Sequence, residues 1–156
     1  MRAHPTSTGV QVQACLALCS ITAGTDAQRD VRAQAAVAAG ALPQVVAVMR
    51  THTASAAVQE RACLALWYIS GGAGARGDAR KQAAVDVGAL PLVVAAMRAH
   101  PVSAGVQVQA CLALRSITAG VGAQGDARKQ AAVDAGALPL IDAAMRAHPA
   151  SAPVQE

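Results

Sequence analysis

Phenylalanine is absent from this sequence, and Trp67 and Tyr68 are its only aromatic residues. Strands favour aromatic and β-branched side chains, so a core without aromatics favours helices that pack closely on small aliphatic side chains. Charged residues are also few, at 14%, whereas hydrophobic residues make up 54% of the 156 positions. This balance excludes an intrinsically disordered chain and predicts one compact unit or one short array.

Long hydrophobic runs are missing as well. The longest apolar stretch, residues 35–49, is interrupted by Gly40, Pro43 and Gln44 and is shorter than the roughly 20 residues of a membrane-spanning helix. Residues 14–24 have the composition of a signal-peptide core, but nearly the same segment recurs twice along the chain. We therefore expect no membrane association and no export signal. The cysteines are predicted to be reduced thiols in an intracellular protein, cytoplasmic or nuclear.

A strong excess of one charge is lacking too. The net charge is +4, which is too small for a nucleic-acid-binding signature, so nucleic acid is not an expected partner. Two basic rows recur along the chain, and we interpret them as solvent-exposed faces, with a phosphate-bearing or acidic partner as the alternative. The rows consist of Arg80-Lys81 with Arg128-Lys129, and of Arg50, Arg98 and Arg146.

An internal repeat with a period of 48 residues is the dominant feature of the sequence. Residues 77–101 and 125–149 are identical at 22 of 25 positions, which indicates recent duplication or design. The chain accommodates three periods and a twelve-residue overhang. Residues that recur at this spacing are Met1, Met49, Met97 and Met145; His4, His52, His100 and His148; Cys15, Cys63 and Cys111; Asp30, Asp78 and Asp126; and Pro43, Pro91 and Pro139.

Each period is predicted to contain three helices, which are short, medium and long in that order. Asp78 has the side chain of an N-cap for the first helix, and Gly88 stands where a C-terminal glycine belongs. The second helix is expected between Leu90 and His100, since proline is tolerated in its first turn and another proline follows it. The third helix is expected to start near Ser103, because apolar residues then recur at spacings of three and four. The sequence therefore predicts an all-α fold.

This pattern of three helices per period resembles the armadillo repeat. The resemblance lies in the A-G-A-L-P segments at residues 39–43, 87–91 and 135–139 and in the third-helix segment A-C-L-A-L-W-Y-I at residues 62–69. It implies a right-handed α-α superhelix, an armadillo-type solenoid, in which the third helices line a concave groove.

The resemblance also implies a division of the chain and a function. Armadillo solenoids such as importin-alpha and beta-catenin bind proteins or extended peptides in the groove, so the chain is expected to be a non-catalytic binding scaffold. On this basis it is a single array at 1–156, with a partial repeat at 1–24, full repeats at 25–72 and 73–120, and a partial repeat at 121–156.

Relatives of the importin-alpha type hold their peptides with ladders of tryptophan and asparagine on the third helices. Here leucine occupies the tryptophan positions, and serine or tyrosine occupies the asparagine positions. Importin-like recognition of basic peptides is therefore not expected. The positions concerned are Leu16, Leu64 and Leu112, and Ser20, Tyr68 and Ser116.

The third helices differ most from one another around Trp67. Tryptophan, tyrosine and arginine are enriched at binding hot spots, so we predict a binding centre at Leu64, Trp67 and Tyr68. The alternative is that Trp67 only fills space between repeats. Together with equivalent positions of the other third helices, the predicted groove residues are Leu16, Ser20, Glu60, Arg61, Leu64, Trp67, Tyr68, Leu112, Arg115 and Ser116.

The cysteines and histidines recur once per period, too far apart for disulfides or shared metal ligands. We interpret the cysteines as small core residues and the histidines as polar groups at helix C-termini. Cys19 is the exception, because it stands where the other repeats have Trp67 or Arg115, so an accessible thiol is expected there.

Residues 72–77 and 120–125 fit the pattern G-x-G-x-x-G of dinucleotide sites. Such a site needs a strand before the loop, whereas a helix is predicted here, which argues against nucleotide binding. No serine, cysteine or carboxylate stands at a spacing typical of catalysis. The chain is therefore expected not to be an enzyme, with no catalytic residues, no cofactor and no metal.

The two ends of the sequence are complementary. Residues 1–5 correspond to the end of a second helix, and the last third helix stops at Glu156. Two explanations stay open. One molecule's first helix could complete another's last repeat, giving head-to-tail self-association, or the chain could be a fragment of a larger scaffold or signalling protein.

Overall fold

The computed structural model describes residues 7–24 and 27–149, residue 27 through its backbone alone. Within these ranges it contains α-helices and no β-strand, which confirms the all-α prediction. The expectations for His4 and for the sequence before residue 7 and after residue 149 lie outside the described residues. The nine helices of the described part are α1 (Thr8–Thr22), α2 (Ala27–Ala38), α3 (Ala41–Thr51), α4 (Ala56–Ser70), α5 (Gly74–Asp86), α6 (Ala89–Ala99), α7 (Ala104–Thr118), α8 (Gly122–Asp134) and α9 (Ala137–Ala147).

The helices recur in a fixed order of length. α1, α4 and α7 each have 15 residues, and α3, α6 and α9 each have 11. α5 and α8 have 13 residues, so the prediction that the first helix of a period is the short one is wrong. The reason is that α5 begins at Gly74, after the N-cap Ala73, and α8 begins in the same way. Asp78 therefore lies inside α5 and does not cap it.

A tight turn between α4 and α5 explains this early start. Gly72 and Gly74 have φ values of 108° and 70°, in the left-handed region that glycine adopts most readily. A Cβ atom on Gly77 would lie 2.5 Å from the carbonyl oxygen of Gly72, so only glycine lets the helix pass this close to the turn. The G-x-G-x-x-G pattern thus shapes a connection between two helices, and the predicted helix before it is confirmed.

The other predicted helix boundaries are confirmed. Gly88 has a φ of 80° between α5 and α6, and Gly40 and Gly136 have φ values of 79° and 85° at the equivalent turns. Ser103 is the N-cap of α7, and its side chain accepts a hydrogen bond from the backbone N–H of Val106. The glycines redirect the backbone at the end of a helix, and the Ser103 side chain satisfies a backbone N–H group at the start of one. These two features fix the helix boundaries.

Equivalent helices pack side by side. α4 contacts α1 on one side and α7 on the other, α5 contacts α2 and α8, and α6 contacts α3 and α9. One apolar cluster runs through these contacts, and Leu66, Ile69, Val93 and Ile117 lie fully or almost fully buried within it. The packing places the three predicted third helices, α1, α4 and α7, next to one another.

Arg80 joins neighbouring helix sets through a buried guanidinium group, where a helix set is the group of helices formed by one 48-residue period. Its Nη2 atom lies 2.6 Å from Oδ1 of Asp30 and donates to the carbonyl of Gly71 at 2.7 Å. Its Nε atom donates to the carbonyl of Ile69 at 3.1 Å. One cation therefore holds both a carboxylate of α2 and the C-terminal end of α4, where the helix dipole favours positive charge.

Arg128 makes the same kind of contact one period later. Its Nη2 atom lies 3.0 Å from Oδ1 of Asp78 and 2.8 Å from the carbonyl oxygen of Ala119. Arg80 and Arg128 are each 1% exposed and Lys81 is 3% exposed, so the interpretation of this basic row as a solvent-exposed face is wrong for these three residues. Their side chains are used inside the protein.

Among the described residues, no single helix is both long and apolar enough to cross a membrane. Two pairs of consecutive helices reach that length and hydropathy only when taken together, and each pair is sharply bent, by 65° between Gln28–Ala38 and Ala41–Thr51 and by 64° between Gly74–Asp86 and Ala89–Ala99.

Candidate binding surface

The candidate binding surface starts from the two faces of α4. Val58, Ala62, Leu66 and Ile69 are fully buried, and they recur at the three- and four-residue spacing of one helix face. The side chains on the opposite face stay partly exposed. This partly exposed face, the α4 stripe, consists of Glu60, Arg61, Leu64, Trp67 and Tyr68. The structure therefore brings the five α4 residues chosen from the sequence onto one face.

Trp67 and Tyr68 form the apolar centre of the α4 stripe. Their ring centroids are 4.6 Å apart and the ring planes are tilted by 43°. Both side chains are half-buried, and Leu64 lies one helical turn before Tyr68. Two rings beside an aliphatic side chain offer a surface that an apolar ligand side chain can cover.

Glu60 and Arg61 extend the α4 stripe toward both neighbouring helices. Arg61 Nη2 lies 3.3 Å from Glu60 Oε1. The carboxylate of Glu60 lies over Gly105 in the first turn of α7, where the positive end of the helix dipole favours a negative charge. Burial raises the pKa of Cys19 in α1 to about 11, and the positive charge of Arg61 opposes that shift. The charged pair therefore reaches both junctions of α4.

The neighbouring helices contribute four further predicted residues to the surface. On α1, Leu16 is partly exposed and Ser20 is exposed. On α7, Leu112 is partly exposed and Arg115 is exposed. Arg115 carries a positive charge at the position that Trp67 occupies in α4, so the surface changes from aromatic to cationic between neighbouring helices.

Ser116 has a different place from the other predicted residues. It is 8% exposed, and its hydroxyl donates to the carbonyl of Trp67 at 3.3 Å. Its Oγ atom also lies 3.0 Å from Oγ of Ser70. Ser116 therefore contributes to the contact between α4 and α7 and fixes the backbone beneath the aromatic pair.

Cys19 is buried, so the prediction of an accessible thiol there is wrong. It is 5% exposed, because its small side chain packs within the apolar cluster of the helices. Burial raises the pKa of Cys15 and of Cys63 to about 12. Cys111, whose pKa is also raised by burial, is the half-exposed thiol among the four.

We expect Cys111 to be the fastest-reacting thiol of the folded protein. Thiolates are the reactive form, and burial raises the pKa of all four thiols. Cys111 differs from the other three in being half-exposed, so a reagent can reach it without opening the fold. Labelling with iodoacetamide at mildly alkaline pH, followed by mass spectrometry, should find Cys111 modified about tenfold faster than the others. Cys111→Ser should remove the fast reaction, and denaturant should make the remaining thiols equally reactive. A fast reaction that persists in Cys111→Ser would contradict this assignment.

Two of the described histidines, His100 and His148, lie within hydrogen-bond distance of carbonyl groups in neighbouring turns. Nε2 of His100 lies 2.8 Å from the carbonyl oxygen of Thr53, and Nε2 of His148 lies 3.1 Å from that of Pro101. Both are the C-cap residues of their helices, as predicted for this series. In residues 7–24 and 27–149, no three histidine, cysteine, aspartate or glutamate side chains come together as a metal site would require.

No protein-family model, no curated protein and no solved structure matches this chain. Positions 48 residues apart provide an internal comparison. Cys19 is buried, Trp67 is half-buried and Arg115 is exposed, although all three occupy the same position of a 15-residue helix. This position therefore differs among the three helices in both chemistry and exposure, and it contributes to the surface only on α4 and α7.

Proposed function

We propose that the chain forms an armadillo-type, right-handed α-α superhelix and acts as a non-catalytic scaffold for a protein or an extended peptide. The groove is lined by α1, α4 and α7, with the α4 stripe at its centre. The recurring order of helix lengths, the left-handed glycines between first and second helices, and the side-by-side packing of α1, α4 and α7 all support this proposal.

The observation that carries the proposal is the half-buried pair Trp67 and Tyr68 on the open face of α4. Tyr68 packs against the apolar cluster, but both rings stay partly exposed, in contrast to the opposite face of α4, which is fully buried. Tryptophan and tyrosine provide large contact areas at a low cost in conformational entropy, which suits a binding centre. The expected ligand is an extended segment with an apolar side chain seated against Leu64 and the two rings.

Trp67 is the only tryptophan of the chain, so its fluorescence reports on this surface alone. Peptides selected from a random phage-displayed library on the wild-type protein should change the Trp67 emission in a saturable titration. We expect Trp67→Ala to weaken binding of the same labelled peptides by about 30-fold, since an interface tryptophan commonly contributes about 2 kcal/mol. Fluorescence anisotropy of the peptide label measures the affinity in both proteins.

Val102→Ala is the matched control for this substitution. Val102 is 88% exposed in the turn before α7, so its truncation should leave both fold and peptide affinity unchanged. Circular dichroism and thermal melting establish that Trp67→Ala keeps its helices. Unchanged peptide affinity in a folded Trp67→Ala protein would reject the groove assignment and favour Trp67 as a space-filling residue.

A further inference from the structure

The outer surface of α8 and α9 exposes side chains that are buried at equivalent positions earlier in the chain. Leu138 is 59% exposed, whereas Leu90 is 2% exposed. Met145 is 41% exposed, whereas Met97 is 1% exposed. Contiguous apolar surface of this kind typically marks an interaction site. We call this surface the α8/α9 face, and its apolar side chains are Val133, Leu138, Ile141 and Met145.

Inside the chain, a helix packs on the equivalent surface. There α7 contacts both α5 and α6, and Leu90 and Met97 of α6 are buried. On the α8/α9 face, a depression of about 430 Å³ lies in the corresponding place and is also bordered by Arg115 of α7. The depression is therefore suited to an apolar helix with the sequence pattern of α7.

The outer surface of α1 is a second apolar surface that is buried elsewhere in the chain. Ile21 is 55% exposed, whereas its equivalents Ile69 in α4 and Ile117 in α7 are fully buried. A depression of about 550 Å³ lies between this surface and α2 and α3. We call it the α1 face, and it includes Ala14, Ala17, Leu18, Ile21 and Ala36.

The two faces also carry complementary charges. Asp78 Oδ1 accepts a hydrogen bond from Arg128 Nη2 of the following helix set at 3.0 Å, and the Asp78 side chain is 36% exposed. The equivalent Asp126 has a 71% exposed side chain and lies 2.9 Å from Lys129 on its own helix. Arg32, the equivalent of Arg128, donates to two carbonyl groups at the end of α1, at 2.7 and 2.9 Å. Arg32 therefore contacts backbone carbonyl groups in the same way as Arg80, which joins two helix sets.

We propose that two copies of this chain dock head to tail, with the α1 face of one copy on the α8/α9 face of the other. In this contact α1 packs on α8 and α9 as α7 packs on α5 and α6, and Arg32 approaches Asp126 as Arg128 approaches Asp78. The two faces are different surfaces, so the contact is heterologous and extends into open chains or closes into a ring.

Sedimentation velocity of the full chain, from low-micromolar to millimolar concentration, tests this contact. The wild type should form a concentration-dependent series of oligomers. Ile21→Glu and Leu138→Glu should each weaken association by about tenfold or more, because each places a carboxylate in an apolar contact. An equimolar mixture of the two variants should form a one-to-one complex and nothing larger, since Ile21→Glu keeps an intact α8/α9 face and Leu138→Glu keeps an intact α1 face.

Three further variants complete the test. Val102→Glu adds a carboxylate at an exposed valine on neither face, so it should assemble like the wild type. Asp126→Lys, at an exposed position, should weaken association through charge repulsion without touching the apolar contact. Trp67→Ala should leave association unchanged, which separates this contact from the peptide groove.

Two results would overturn the head-to-tail contact. A wild type that sediments as a monomer at every concentration would show that the α1 face and the α8/α9 face do not bind each other. Oligomers of the wild type without a complex in the mixture of Ile21→Glu and Leu138→Glu would show that the copies meet through other surfaces. Circular dichroism of each variant establishes that the helices are retained in both cases.

Discussion

Replacing Arg80 with alanine is expected to lower the free energy of unfolding by about 3 kcal/mol. The guanidinium group is buried, pairs with Asp30 at 2.6 Å and donates to two carbonyl groups at the C-terminal end of α4. Alanine would leave these carbonyl groups without their donor, in a place where water has little access. For a chain of this length, such a loss lowers Tm by about 10 °C.

Urea denaturation followed by circular dichroism measures this loss, and Arg76→Ala is the matched control. Arg76 lies on the same helix with an exposed side chain, so its truncation should change stability by about 0.5 kcal/mol or less. Arg128→Ala should act in the same direction as Arg80→Ala, because it removes the equivalent contact to Asp78. Equal stability of the Arg80→Ala and Arg76→Ala proteins would mean that the buried guanidinium does not hold the helix sets together.

The same contact makes stability depend on pH in acid. Partial burial raises the pKa of Asp30, but hydrogen bonds and positive charges from Arg80 and Arg29 outweigh it and lower the pKa below its usual value of 3.8. A carboxylate with a lowered pKa stabilises the fold above its unfolded pKa, and this contribution is lost as the pH falls through the folded value. The wild type should therefore lose more stability than Arg80→Ala as the pH falls below 3.8.

Gly77→Ala is expected to destabilise the fold by about 2 kcal/mol, although alanine is normally the better helix former. The added Cβ atom would lie 2.5 Å from the carbonyl oxygen and 2.7 Å from the carbonyl carbon of Gly72. Both are backbone atoms of a turn already confined to positive φ, so relief requires moving α5 away from α4. Gly125→Ala should destabilise the fold in the same way, because an added Cβ atom there would lie 2.7 Å from the carbonyl carbon and 2.8 Å from the carbonyl oxygen of Gly120.

Gly9→Ala is the matched control, since Gly9 is also a helical glycine but has nothing within 4 Å of an added Cβ atom. It should leave stability unchanged or raise it by up to about 1 kcal/mol. Thermal melting of the three glycine variants side by side measures the contrast. A Gly77→Ala protein as stable as Gly9→Ala would show that the turn adjusts without cost.

Local sequence signals were sufficient for the boundaries that depend on one residue and its neighbours. Gly88 adopts the left-handed backbone that ends α5, and Ser103 accepts the N–H of Val106 at the start of α7. The helical period likewise placed Glu60, Leu64 and Tyr68 on one face of α4. Each of these features is set within one or two helical turns, which is the range that periodicity and capping rules describe.

The wrong predictions concern contacts between residues far apart in the chain. Arg80 was expected in solvent because its carboxylate partner lies 50 residues earlier, and nothing near Arg80 in the sequence indicates Asp30. The predicted helix start at Asp78 rests on its capping side chain alone, whereas the glycines before it allow a close approach of two backbone segments and an earlier start. The 48-residue repeat gives no signal of this pairing, because it makes every spacing between recurring residues repeat, including Asp30 with Arg80 and Asp78 with Arg128.

The junctions between helix sets are built from the same parts, and this has a consequence for how the gene can change. Removing residues 73–120 would join α4 to α8 and bring Arg128 to Asp30 in place of Arg80. Gly72 would again be followed, five positions later, by a glycine, because Gly125 takes the place of Gly77. Unequal recombination can therefore add or delete whole 48-residue units while the arginine–aspartate contact and the glycine turn are kept at the remaining junctions. The number of 48-residue units, and with it the length of the chain, can therefore vary between alleles while the same kinds of contact join the helix sets.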